Sequence, residues 1–220
     1  MSEAPLFSLV VATHNPGKVA EFRSLLAGLP IEILTVTEVL PSFAPPAEDG
    51  TTFEENALLK AKAAAIATQM IAIADDSGLE VDALAGRPGV RSARYAHESA
   101  TDAENNALLM TELSEVEDGL RTARFRCVIA LVDPFAEVER PVVVEGRCEG
   151  VIAQSPKGES GFGYDPLFVV AGVGRTYAEL EHDEKNRLSH RGKAARAIIV
   201  HLEALHAARL AEAQRAFGGA

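Results

Sequence analysis

The chain has 220 residues, of which 47% are hydrophobic and 24% charged, a composition typical of a globular protein with a substantial core. A formal net charge of −11 disfavours binding to a long nucleic-acid backbone, although a mononucleotide needs only a local cluster of donors. No apolar run approaches the roughly 18 residues of a membrane span. Glu3 precedes the first apolar stretch and no basic segment accompanies it, so we expect a cytoplasmic protein without a signal peptide.

The two cysteines offer no metal site at the level of sequence. Cys127 and Cys148 lie in strand-like runs, without CxxC spacing and without a nearby histidine. We therefore expect two buried, reduced thiols.

Strand and helix signals alternate along the first half of the chain, which predicts an α/β fold. Residues 7–12 (FSLVVA) predict a buried strand, the THNPG sequence a turn, and residues 18–27 a helix. Residues 31–36 predict a second strand, and the Pro-rich segment 41–50 predicts a loop.

A long helix is expected to begin at Thr52, because Thr52 and Glu55 form a capping-box pattern ahead of an Ala-rich run that ends at Thr68. The apolar run 70–75 then predicts a buried strand that ends at Asp75 and Asp76. After it, the DDSG sequence is expected to turn sharply.

The second half of the chain predicts a helix, a hairpin and a final helix. Thr101 and Glu104 repeat the capping-box pattern, and residues 122–132 and 138–153 predict two long strands joined near Asp133 and Pro134. Residues 190–217 predict an amphipathic helix whose buried face carries Ala194, Ile198, Leu202 and Leu205. No linker divides the chain, so we expect a single domain over residues 1–220, in which the long strands suggest two lobes.

The first candidate for chemistry is THNPGK at positions 13–18, between the first strand and the first helix. A helix start offers free N–H groups and a dipole that favours an anion. Thr13, Asn15 and Lys18 carry further phosphate donors, although a plain turn with an Asn cap explains the same residues. The pattern is not a Walker motif, because Val19 follows Lys18.

A second candidate is an acidic group that could hold Mg²⁺, which binds one or two protein carboxylates together with substrate phosphates. Its members are Glu48, Asp49, Glu54, Glu55, Asp75 and Asp76. The alternatives are that Asp76 and Ser77 cap a turn and that Glu55 serves only the capping box. Lys60, on the same predicted helix as Glu55, is a candidate to face the site.

A third candidate joins two C-terminal segments. In GFGYDPLF, Phe162 and Tyr164 stand between glycines and Asp165, which suggests a stacking platform, although a tight turn with buried aromatic residues is an alternative. In SHRGKA, Ser189 predicts an N-cap that places His190 and Arg191 in the first helical turn, where cations oppose the helix dipole.

Four separated segments, THNPGK, ADDSGLEVDAL with PGVRSARYA, GFGYDPLF and SHRGKA, together resemble the inosine and xanthosine triphosphate pyrophosphatases. The resemblance runs in order from residue 9 to about residue 200. It implies an elongated mixed β-sheet with flanking helices, two lobes around a central cleft, and a homodimer. It also implies Mg²⁺-dependent hydrolysis of dITP, ITP or XTP to the monophosphate and pyrophosphate, with no nucleic-acid polymer or membrane as partner.

Carried over by position, the resemblance implies Asp76, Lys18 and Lys60 as catalytic residues and Asp76 with Glu48 as metal ligands. Asp49 is an alternative to Glu48, because the Pro-rich loop leaves that alignment uncertain by a residue. The implied substrate-binding residues come from the first turn, the DDSG segment and the C-terminal segments: Thr13, His14, Asn15, Pro16, Gly17, Lys18, Ser77, Phe162, Gly163, Tyr164, Asp165, Lys185, His190 and Arg191. A non-catalytic nucleotide sensor and a pyrophosphatase for another modified nucleotide remain alternatives.

Overall fold

A computed structural model describes residues 7–136 and 140–217. Its six strands form one mixed sheet in the order β2-β1-β3-β4-β5-β6. They are β1 (Ser8–Val11), β2 (Glu32–Thr35), β3 (Ala72–Val81), β4 (Thr122–Val132), β5 (Val142–Ile152) and β6 (Phe168–Val170). β1 pairs in parallel with β2 and β3, and the remaining pairs are antiparallel.

The described chain also contains six α-helices, which flank the sheet as expected for the α/β class. They are α1 (Pro16–Leu25), α2 (Val36–Val39), α3 (Phe53–Thr68), α4 (Asp102–Glu112), α5 (His182–Leu188) and α6 (His190–Phe217). Both predicted capping boxes are present, at Thr52 with Glu55 and at Thr101 with Glu104. None of the helices within residues 7–136 and 140–217 combines the length and apolarity needed to cross a membrane.

Three apolar clusters hold the sheet between the helices. Around β1 and the first half of β3, α3 covers one face of the sheet, while α1 and α6 cover the other. The predicted stripe of α6 is confirmed, because Ala194, Ile198 and Leu202 are buried there and Leu205 packs against them. The far ends of β3, β4 and β5 pack with α4 and β6 into the third cluster. Cys127 and Cys148 are buried and unpaired with each other, as predicted.

One prediction about β3 is wrong, and it concerns the site. The DDSG sequence does not turn: β3 runs straight through Asp75, Asp76, Ser77 and Gly78, each opposite a residue of β4. Continuous antiparallel pairing with an eleven-residue neighbour stabilises these positions as strand, overriding their local preference for a turn. Gly78 is required by close approach, since a Cβ there would lie 2.4 Å from the carbonyl oxygen of Gly89.

Other boundaries differ by a few residues. α1 begins at Pro16, two residues before the predicted start, because Asn15 caps it and proline suits the first helical position. Val36 belongs to α2 and not to the second strand, since Thr35 forms a capping box with Glu38. The hairpin of β4 and β5 is confirmed, with β5 beginning at Val142; residues 138 and 139 of the predicted strand lie outside the described residues.

Candidate active site

A cavity of about 380 Å³ opens beyond the carboxyl end of β1, where β3 continues past its parallel neighbour. Its walls come from the α1 turn, the Pro-rich loop, α3, β3, α4 and the C-terminal segments. Most of the residues carried over from the resemblance line it: Thr13, His14, Asn15, Lys18, Glu48, Lys60, Asp76, Ser77, Phe162, Gly163, Tyr164, Asp165, Lys185, His190 and Arg191. Pro16, Gly17 and Asp49 are not among the lining residues.

The turn before α1 uses its own side chains to satisfy its backbone. Asn15 is the N-cap, and its Oδ1 accepts from the amides of Gly17 (2.9 Å) and Lys18 (3.2 Å). Two of the amides expected to be free for an anion are therefore bonded to Asn15. Gly17 has a separate role, because a Cβ there would lie 2.8 Å from the Phe162 ring. The glycine lets the first turn pack against the aromatic loop.

Asp75 and Asp76 point to opposite sides of the sheet, as neighbours in a strand must. Asp76 accepts from Lys60 Nζ (2.8 Å) and from Asn56 Nδ2 (3.2 Å) on the α3 side. Asp75 is 2% exposed, lies 3.0 Å from Lys18 Nζ and accepts from both Nε and Nη2 of Arg191. Asp76 thus faces the cavity, whereas Asp75 is buried beneath it and holds two of the site's cations.

Lys60 joins the two carboxylates that the resemblance assigns to a metal. Its Nζ lies 2.8 Å from Asp76 Oδ1 and 2.8 Å from Glu48 Oε1. Burial lowers the pKa of Lys60, but Asp76 and Glu48 outweigh burial and raise that pKa above its ordinary value. Burial raises the pKa of Asp76 more than Lys60 lowers it, whereas in Glu48 the opposing effect of Lys60 prevails and the pKa falls. Of the two carboxylates, Asp76 is the one whose pKa is shifted towards neutral pH.

The Pro-rich loop forms one wall of the cavity and places Glu48 beside Lys60. Arg94 donates from Nη2 to the Glu48 carbonyl oxygen (2.6 Å), and its Nη1 lies 3.6 Å from the Glu48 carboxylate. Phe43 lies nearly parallel to His14, with ring centroids 6.3 Å apart, so the loop also meets the α1 turn. Glu48, and not its exposed neighbour Asp49, is the carboxylate that reaches the cavity.

The aromatic loop places Phe162 half-buried at the cavity and buries Tyr164. Gly161 and Gly163 adopt positive φ values of 84° and 61°, which explains the need for glycine on both sides of Phe162. Asp165 Oδ2 accepts from the Phe162 amide (2.9 Å) and from Lys185 Nζ (2.7 Å). Burial raises the pKa of Asp165 despite the opposing charge of Lys185. Lys185 Nζ also lies 4.9 Å from the centre of the Phe162 ring, a cation–π geometry.

His190 and Arg191 lie in the first turn of α6, as predicted, and Ser189 Oγ accepts from the Gly192 amide (3.0 Å). His190 stacks on Phe125 with ring centroids 4.6 Å apart. Burial, together with the charges of Arg191 and Lys185, lowers the pKa of His190 well below its ordinary value. A neutral imidazole removes the conflict with the helix dipole. Its Nδ1 is buried and has no hydrogen-bond partner within the described residues.

Arg191 is almost wholly engaged by the protein. It is 2% exposed and bonds Asp75 through Nε and Nη2, Glu21 through Nη1 (2.5 Å) and Ser77 Oγ through Nη2 (2.9 Å). These four bonds leave one of its five N–H groups for a ligand. Burial lowers the pKa of Arg191, but Asp75 and Glu21 outweigh it and raise that pKa, so the guanidinium stays charged.

Glu21 is the residue that sequence reasoning missed. It is 6% exposed on α1, bonds Arg191 and accepts from Lys185 Nζ (2.9 Å). Burial raises its pKa, but Arg191 and Lys185 together lower it below the ordinary value. The sequence did hold a signal, because Glu21 follows Lys18 by three residues and so shares its helix face.

Known proteins resemble the chain over most of its length. A model described as the Ham1 family matches residues 9–201. A protein of Geobacter sulfurreducens named dITP/XTP pyrophosphatase is 52% identical over 88% of this chain and 96% of its own. One of the same name from Bacillus subtilis is 48% identical over 89% of this chain and 96% of its own.

Solved structures agree in fold. The Ham1 protein of Staphylococcus aureus superposes with a TM-score of 0.79 at 40% identity, covering 90% of this chain and 98% of that one. A structure from Mycobacterium abscessus named nucleoside-triphosphatase and dITP/XTP pyrophosphatase gives a TM-score of 0.68 at 46% identity, covering 87% and 98%.

Proposed function

The chain belongs to the Ham1 family, and we propose that it hydrolyses the deaminated purine nucleotides dITP, ITP and XTP to the monophosphate and pyrophosphate. The observation that carries the proposal is one cavity that brings together two chemically different groups of side chains. Lys18, Lys60 and Asp76 form the group that we assign to the phosphates, and Phe162 with Lys185 forms the group that we assign to the base. The relatives named dITP/XTP pyrophosphatase support the same activity.

Among the side chains assigned to the phosphates, Asp76 is the group we assign to accept the proton of the attacking water. Its raised pKa suits a general base, because proton transfer is most effective when the pKa approaches the working pH. Lys18 and Lys60 neutralise the charge that develops on the leaving pyrophosphate, which requires Lys60 to release part of its contact with Glu48 and Asp76. Thr13, His14 and Asn15 line the same wall.

The donor set fits Mg²⁺. Glu48 and Asp76 converge on one ammonium group at 2.8 Å each, so a cation is already attracted between them. The described residues hold no group of three or more His, Cys, Asp or Glu that could bind a metal, in keeping with an ion that takes one or two carboxylates and completes its shell with water and phosphate. When bound, Mg²⁺ supplies positive charge to the phosphate oxygens.

Among the side chains assigned to the base, Phe162 offers a face for stacking, and the neighbouring donors suit the 6-oxo acceptor of hypoxanthine and xanthine. Adenine carries an amino donor at that position, which would leave a buried donor of the protein unpaired. The candidate contacts are the remaining N–H of Arg191 and the unpartnered Nδ1 of neutral His190, which donates in the tautomer that carries its proton on Nδ1. Ser77, Gly163, Tyr164 and Asp165 complete this part of the cavity wall.

The resemblance further supports a single-domain chain that acts as a homodimer in the cytoplasm. Light scattering on the purified protein distinguishes a dimer of 23.4 kDa chains from a monomer.

Pyrophosphate release tests the activity. Purified protein is offered dITP, ITP, XTP, dATP and dGTP, with and without Mg²⁺, and inorganic pyrophosphatase converts the product to detectable phosphate. We expect release from the first three only, and only with the metal. Binding of dITP without hydrolysis would instead identify a nucleotide sensor, and turnover of none of the three would refute the proposal.

A further inference from the structure

Both polar groups of the Gly163 backbone are bonded to one turn of α4. The Gly163 amide donates to Asp102 Oδ2 (2.6 Å), and its carbonyl oxygen accepts from Asn106 Nδ2 (3.0 Å). Gly163 follows Phe162 directly and has a φ of 61°. The most adaptable residue of the aromatic loop is thus held on both sides, although 57 or more residues separate it from α4 in the chain.

The start of α4 places the side chains of Asp102 and Asn106 next to each other. The capping box of Thr101 begins the helix at Asp102, and Asp102 and Asn106 then share a face, since residues four apart are neighbours on a helix. Between them, Asn105 is buried and accepts from the Ala96 amide (2.9 Å) and donates to the Ala93 carbonyl (3.1 Å). The helix is therefore fixed to the body of the protein and gives the loop a rigid attachment.

The other contacts of the loop do not replace this attachment. Asp165 binds the Phe162 amide from within the loop itself, and Tyr164 is anchored through its hydroxyl to the Ser92 carbonyl (2.9 Å). Without Asp102 and Asn106, Gly163 is free to change φ and ψ, and the plane of the Phe162 ring changes with it. The ring now lies against Gly17 on one side and near Lys185, so its plane sets the space left for a base.

We propose that Asp102 and Asn106 are positioning residues, which hold residues 161–165 in the arrangement that stacks Phe162 on the base. The inference rests on the proposed function, because it assigns the base to this ring. In the proposed function the reacting phosphates bind near Lys60 and Asp76. Loosening the loop therefore weakens substrate binding and leaves the chemical step intact, since it removes no group that contacts the phosphates.

The test compares Asp102→Ala and Asn106→Ala with Asp102→Asn, which keeps an acceptor oxygen for the Gly163 amide. Thr111→Ala is the matched control, because Thr111 lies on the same helix and its hydroxyl bonds only the Ala107 carbonyl. We measure KM and kcat for dITP, and hydrogen exchange of the Gly163 amide by NMR in the nucleotide-free protein. The second measurement is independent of any activity and reports the loop itself.

We expect each alanine variant to raise KM about two- to tenfold, the change that corresponds to one hydrogen bond, with kcat within about twofold of wild type. Exchange of the Gly163 amide should accelerate in Asp102→Ala, while Asp102→Asn and Thr111→Ala should stay close to wild type. An unchanged KM in both alanine variants of an active enzyme would overturn the positioning role alone. A wild-type chain that hydrolyses no deaminated purine triphosphate would overturn the proposed function and this role with it.

Discussion

We expect the substitution Arg191→Ala to lower the stability of the fold, in addition to any effect on the choice of nucleotide. The guanidinium is buried and neutralises two carboxylates that are themselves 2% and 6% exposed, Asp75 and Glu21. After truncation, Asp75 keeps Lys18 and Glu21 keeps Lys185 as its remaining ion-pair partner. Each carboxylate then loses one of its two cations while it remains largely shielded from solvent.

The magnitude follows from that burial. Removing one partner of a buried ion pair costs about 3–5 kcal/mol, and here it leaves Lys18 and Lys185 to balance three buried carboxylates, Asp75, Glu21 and Asp165. Solvent screening does not reduce the estimate, since Arg191 is only 2% exposed. We expect Arg191→Ala to lower the free energy of unfolding by about 3–5 kcal/mol at pH 7. A protein of ordinary stability has about 5–15 kcal/mol to lose, so the variant still folds in most of that range.

Urea unfolding followed by circular dichroism measures this loss. Arg196→Ala is the matched control, because Arg196 lies on the exposed side of the same helix and donates only to the carbonyl groups of Asn186 and Arg187. The control should cost no more than about 1 kcal/mol, the typical worth of such bonds. A loss below about 1 kcal/mol in Arg191→Ala would refute the assignment of Arg191 as the charge that holds Asp75 and Glu21.

The loss of stability in Arg191→Ala should also depend on pH. In the native protein the pKa of Asp75 is lowered, because Lys18 and Arg191 outweigh the effect of burial, and that of Glu21 is lowered by Arg191 and Lys185 in the same way. Such carboxylates stabilise the fold above their unfolded pKa of about 4, and this stability is lost as the pH falls through the native pKa. Without Arg191 both carboxylates take up protons at higher pH. The stability difference between wild type and variant should therefore shrink as the pH falls from 7 through the unfolded pKa of about 4 and towards the lowered native pKa values.

Three further results are expected. Asp76→Asn should lower kcat for dITP by about 10²-fold or more, the usual contribution of a general base, with an unchanged circular dichroism spectrum; near-normal turnover would contradict the role. Phe162→Ala should raise KM for dITP about tenfold at nearly constant kcat, since stacking on one base is worth about 1–3 kcal/mol. Arg94→Ala should weaken Mg²⁺ binding, measured by calorimetry, because Arg94 holds the Glu48 backbone; unaltered binding would show that the Pro-rich loop holds Glu48 without it.

Local patterns in the sequence predicted most of the elements and could not predict the buried ion pairs. The capping boxes at Thr52 and Thr101 depend on residues three apart, so local rules suffice for them. The DDSG segment misled the prediction because its turn-like residues are stabilised as strand by pairing with β4, whose partners come about 50 residues later. Glu21 lies 170 residues before Arg191, and only the folded sheet brings the two together.

The ion pairs of the cavity explain how a chain with a net charge of −11 can prepare a site for a polyanion. Among the described residues, four cations that line the cavity are each paired with carboxylates. Lys18 pairs with Asp75, Lys60 with Glu48 and Asp76, Lys185 with Glu21 and Asp165, and Arg191 with Asp75 and Glu21. Arg94 adds a fifth cation 3.6 Å from the Glu48 carboxylate, so the five carboxylates are balanced and a triphosphate alone would meet cations that the protein already engages. The two carboxylates around Lys60 are the ones a divalent cation can neutralise, and doing so frees the lysine for phosphate. The ion pairs of this site therefore favour a triphosphate that arrives with its metal.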